Sequence, residues 1–118
     1  MIHNLGIYSN NNDCKIIYSI IDYFRTINPI ISIHLFSDSD NICRDCNIAC
    51  LPSFYLPFYK NCIIFTDIED YLEYQQDIIS SSIYVIGSIE DIKTYHIDKK
   101  TINSIKLLTI ENEKLYEI

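Results

Sequence analysis

The chain predicts a three-layer α/β sandwich, Rossmann-like or flavodoxin-like, on a mainly parallel sheet of about five strands. Three observations carry that prediction. Short apolar runs recur along the sequence and are hydrophobic at nearly every position, as strands covered on both faces require. Between them lie segments with a helical apolar stripe or a helix-capping signature, joined by short polar turns. The alternation of the two implies parallel strands linked by right-handed crossovers, with helices on both faces.

The elements follow in order. Asn4-Leu5-Gly6-Ile7-Tyr8-Ser9 is a first strand, and the polar stretch 10–13 leads into a helix capped near Asp13. Ile16, Ile17, Ile20, Ile21, Phe24 and Ile27 form one helical stripe, which ends at Asn28-Pro29 because proline disfavours helical geometry in the preceding residue. Residues 30–36 make a second strand and 37–41 a polar turn. Residues 41–51 suit a short helix stopped by Pro52, followed by an irregular aromatic link over 53–60. Cys62-Ile63-Ile64-Phe65 is the third strand. Thr66 and Glu69 match a reciprocal capping box for a helix reaching about residue 79. Ile83-Tyr84-Val85-Ile86-Gly87 is the fourth strand, and Ser88 with Asp91 caps a short helix over 89–96. Residues 104–110 give a fifth strand, with a strand or a helical turn in the tail. No repeat or linker divides residues 1–118, which form a single domain.

Composition excludes several functions. The chain has 118 residues and a net charge of -7, with its nine Lys and Arg scattered. Nucleic-acid binders concentrate positive charge to displace phosphate counterions, so no nucleic-acid partner is expected. Only two glycines occur, Gly6 and Gly87, each read at the end of a strand-like run. No glycine-rich phosphate loop and no nucleophile elbow can be built, and no cofactor is expected. No apolar stretch is long enough to span a bilayer, and the N-terminus lacks a signal-peptide pattern. A cytoplasmic protein with reduced cysteines is the expectation, and the odd count of five argues against a closed disulfide framework. The Ile, Asn, Tyr and Lys bias matches an AT-rich genome, a source class that includes viruses. For a viral chain the setting is the host cytoplasm.

Three groups of residues are candidate sites. Ligands of such sheets bind beyond the carboxyl ends of the strands, where strand order reverses. Here that rim collects Ser9, Asn10, Asn12, Asp13, Thr66, Asp67, Ser88 and Glu90. Hydroxyls, amides and carboxylates without a basic residue suit a neutral polar small molecule such as a polyol or sugar, or a divalent cation, although the same residue types gather there as turn formers and caps. Asp38-Ser39-Asp40 resembles a metal-holding DxD tripeptide and equally a solvated turn. Cys43, Cys46 and Cys50, with Cys62 or His34 as fourth ligand, offer a zinc or iron–sulfur reading, competing with a buried stripe on one helix face. A Cys62–His34 nucleophile pair has no spacing to support it. Finally, Phe54, Tyr55, Phe58 and Tyr59 form an aromatic link that is either core or a docking surface for a partner protein or a second copy.

Taken in order, Gly6-Ile7-Tyr8-Ser9, the Ile-rich helix, residues 31–36, Ile63-Ile64-Phe65-Thr66-Asp67, Tyr84-Val85-Ile86-Gly87 and Leu107-Leu108-Thr109 resemble the N-terminal half of GT-B glycosyltransferases. That family places its sugar-nucleotide site mainly in a C-terminal half. The resemblance therefore implies a truncated or repurposed half-enzyme, without transferase activity alone. The functional expectation is a small acidic binding domain, more an interaction module than an enzyme. The alternatives are a transferase fragment completed by another chain, and a cysteine-ligated metal or redox protein.

Overall fold

The computed structural model describes residues 2–9, 14–38 and 48–118. Their elements run β1 (Asn4–Tyr8), α1 (Cys14–Ile27), β2 (Ser32–Phe36), β3 (Ala49–Leu51), a 3-10 segment (Ser53–Phe58), β4 (Cys62–Phe65) and α2 (Ile68–Tyr74). There follow β5 (Ile83–Ile86), α3 (Ile89–Thr94), α4 (Lys99–Asn103), β6 (Lys106–Glu111) and β7 (Lys114–Glu117). The α/β prediction holds, but the sheet has seven strands rather than five, in the order β3-β2-β1-β4-β5-β6-β7. All neighbours pair in parallel except β6 and β7, which form an antiparallel hairpin at one edge.

The two faces follow from the crossovers. From β1 the chain moves outward to β2, whereas from β4 it moves the opposite way to β5. Right-handed connections then put α1 and α2 on opposite faces. Alternation along each strand divides the core accordingly. Leu5, Ile7, Ile33, Leu35, Cys62 and Ile64 pack with Ile17, Ile20, Ile21 and Phe24 of α1. Tyr8, Phe36, Ile63, Phe65 and Val85 pack with Ile68 and Tyr71 of α2 and with Leu56. Each such side chain contributes about 1.5–3 kcal/mol by leaving water.

Three expectations need correction. Residues 49–51 are strand β3 rather than the end of a helix, because Leu51 precedes Pro52 and is driven to extended geometry. α2 ends at Tyr74, since polar Gln75 and Gln76 interrupt its apolar stripe. Gly6 lies in the middle of β1 rather than at its end. Of the two alternatives for the tail, the strand forms: it is β7, entered through Asn112 and Glu113 with φ of 51° and 63°. Such two-residue hairpin turns normally use Asn-Gly, and the Asn-Glu pair hides the signal. The turn is tied down by the buried Ser19 hydroxyl, which donates to the Glu113 carbonyl at 2.7 Å.

Candidate functional site

Tyr8 stands opposite Phe36 on β2 and Phe65 on β4, so the next residues, Ser37, Ser9 and Thr66, sit side by side across three strands. Backbone bonds continue the sheet to that point. The Ser9 N–H donates to the Phe36 carbonyl at 3.3 Å, the Thr66 N–H to Tyr8 at 3.2 Å and the Ser37 N–H to Leu51 at 3.0 Å. All three residues are buried. This is the carboxyl-end rim where strand order reverses. Asn10, Asn12 and Asp13 lie outside the described residues.

The other rim candidates serve as caps or stay in solvent. Asp67, not Thr66, is the N-cap of α2, and its Oδ1 accepts the Glu69 N–H at 2.9 Å. Ser88 and Asp91 form the expected reciprocal box, with bonds of 2.8 Å and 3.1 Å. Glu90 is exposed in the first turn of α3. Asp38 accepts from both the backbone N–H and the hydroxyl of Ser53, which holds its carboxyl below the usual range. It is therefore a cap for the 3-10 segment, while Asp40 lies outside the described residues.

Beyond the rim, α2 carries Asp67, Glu69, Asp70 and Glu73. Burial, then repulsion from Asp67, Glu73 and Glu69, pushes the Asp70 carboxyl up to about 6. The folded state thus keeps this proton in a pH range where the unfolded chain, near the ordinary 3.8, has released it. Stability is therefore gained as pH falls from about 6 towards 3.8, and the cost is complete above that window. Asp70→Asn is expected to stabilise the protein at pH 7.5 by about 1 kcal/mol, a value already reduced for solvent screening. Urea unfolding at pH 7.5 and 5.0 checks it. A variant no more stable than the parent at pH 7.5 would rule out the strained carboxylate.

The aromatic link is a 3-10 segment on the α2 face. Leu56 is its fully buried anchor, while Phe54, Tyr55 and Phe58 are 64%, 46% and 73% exposed. Tyr59 takes the core alternative: it packs edge-on against Phe36 at 5.1 Å, and burial pushes its hydroxyl up to about 12. The rings of Phe54 and Tyr55 lie 4.3 Å apart, so two of the exposed aromatics form one plate.

Cys50 and Cys62, the described cysteines of the expected centre, do not come together. β2 and β1 separate β3 from β4, which places Cys50 and Cys62 three strand spacings apart, about 14 Å. They cannot share one ion. Cys62 is buried in the α1-side core, and burial pushes its thiol up to about 11. His34 lies opposite Gly6, on the other face of the sheet from Leu35 and Cys62, so neither a shared metal nor a Cys62–His34 nucleophile pair is possible. Cys43 and Cys46 are outside the described residues. Among the described residues no group of three or more His, Cys, Asp or Glu is placed to hold a metal. Cys14 is disulfide-bonded, contrary to the expectation that every cysteine is reduced.

No helix among the described residues is long and apolar enough to cross a membrane. No family model matches the chain, and no curated protein and no solved structure matches it significantly.

Proposed function

We propose that the chain is a binding domain that acts by docking a partner protein through Phe54, Tyr55 and Phe58. The observation that carries this reading is the exposure of three large aromatic side chains on one anchored turn. Aromatic rings lose little conformational entropy when covered and are enriched among residues that dominate binding energy. The turn is held at Leu56 and at the Asp38–Ser53 bonds, so little ordering would accompany docking. A second exposed region, around Ile89 and Ile118 beside α3 and α4, is lined by aliphatic residues with Lys106 and Glu117 and offers no aromatic anchor. The net charge of -7 favours a partner with a basic surface and disfavours nucleic acid.

The test uses proximity labelling with the full chain, followed by affinity measurement on the purified candidate partner. Phe54→Ser with Phe58→Ser is expected to weaken that binding by at least tenfold, equal to about 1.4 kcal/mol. Its melting temperature should stay within about 2 °C of the parent, because both rings face water. A partner held equally well by the double variant would send the search to another surface.

A further inference from the structure

The rim of the sheet holds a polar side chain that neither the core nor the aromatic plate explains. Thr66 is only 6% exposed, yet its Oγ1 finds no hydrogen-bond partner among the described residues. Buried hydroxyls are rarely left so, because losing water without replacement is costly. Its direction follows from alternation: Tyr8, Phe36 and Phe65 face α2, so the next residues, Ser9, Ser37 and Thr66, face the α1 side. The three positions are about 4.8 Å apart from strand to strand, close enough for one ligand oxygen to bridge neighbouring hydroxyls. At the same end of the sheet, α1 begins at Cys14, and its 14 residues direct the positive end of the helix dipole towards this row. Strand order reverses here as well, between β1 and its neighbours β2 and β4, and that is where a crevice opens in such folds.

We infer that the row Ser37, Ser9 and Thr66 binds an uncharged polyhydroxylated small molecule of monosaccharide or cyclitol size. Hydroxyl groups both donate and accept, so they match a ligand whose own groups do both. Asp38, Asp67 and Glu90 bring negative charge to this end of the sheet, which opposes phosphates and carboxylates despite the helix dipole. Lys15, in the first turn of α1, is exposed. The site is separate from the aromatic plate, so either assignment can fail without the other.

The experiment titrates the full, isotopically labelled chain with glucose, myo-inositol and inorganic phosphate while following backbone amides by NMR. Saturable shifts at Ser9, Ser37 and Thr66 with one of the two polyols, and none with phosphate, are expected. Thr66→Val keeps the shape and removes the hydroxyl. It should weaken polyol binding by about tenfold or more. It should also raise the melting temperature of the unliganded protein, because no unpaired hydroxyl remains buried. Saturation by phosphate instead, no saturation by either polyol, or unchanged binding by the valine variant would each overturn the assignment. A valine variant that melts below the parent would do the same, because it would show that Thr66 is already satisfied.

Discussion

Replacing Leu56 by alanine is expected to destabilise the protein by about 2–5 kcal/mol, the range for removing a fully buried leucine. Leu56 is the one buried residue of the 3-10 segment and belongs to the α2-side core with Tyr8, Phe36 and Phe65. Around it the backbone is held by the Ser53 N–H to Asp38 at 2.9 Å, the Tyr55 N–H to the Pro52 carbonyl at 3.2 Å and the Tyr59 N–H to the Leu56 carbonyl at 3.1 Å. Loss of the side chain therefore opens a cavity and also releases the plate that carries Phe54, Tyr55 and Phe58. Against a typical domain stability of about 5–15 kcal/mol, this is a severe change. Urea denaturation measures it directly. A loss below about 1 kcal/mol would show that the segment is not packed onto the sheet, and the proposed docking surface would lose its rigidity.

Gly6→Ala should cost about 1–3 kcal/mol through overpacking. A Cβ at Gly6 would sit 2.8 Å from Cε2 of Phe36 and 2.8 Å from Cε2 of Tyr59. Both rings are locked in an edge-on pair, so neither can yield without disturbing the other. Alanine also narrows the unfolded ensemble, a gain of about 0.4–1 kcal/mol, but contacts this short outweigh it. The glycine therefore serves close packing under Tyr59, and no phosphate is needed to explain it. Tyr59→Leu in the same chain should recover part of the loss, since the clashing ring edge is gone. A double-mutant cycle decides the matter: strictly additive effects would mean that Tyr59 does not press on Gly6.

Pattern alone located most elements, because the signals that place them are local. The stripe of α1 and the Ser88–Asp91 box appear where expected, since both depend on residues three and four apart. Pro52 is a helix-stop signal, as Pro29 is, but the extended geometry it imposes on Leu51 continues into β3 in place of the expected helix end. The choice of a strand for the tail rests on a turn without glycine, which holds because Ser19 reaches across from α1. Ser9 and Thr66 stand at the carboxyl ends of β1 and β4, where apolar runs give way to polar residues. Ser88 caps α3 as its spacing to Asp91 implies, whereas the cap of α2 is Asp67 rather than Thr66.

The cysteine reading shows why spacing has limits. Cys50 and Cys62 are 12 positions apart in the chain, yet two intervening strands keep them from a common ion. The aromatic link divides in a similar way: Tyr59 entered the core and Phe58 stayed in water, although both are adjacent aromatics.

By itself, the order of residues determined that this chain alternates strand and helix, that it buries both faces of a sheet, and that it lacks a phosphate loop. Those properties are carried by neighbours within a few positions. Only the tertiary structure decided which strands adjoin, and hence that Ser37, Ser9 and Thr66 are neighbours on the rim while Cys50 and Cys62 do not share a site. Strand adjacency depends on crossover direction and on packing between residues distant in sequence, and no local pattern encodes either.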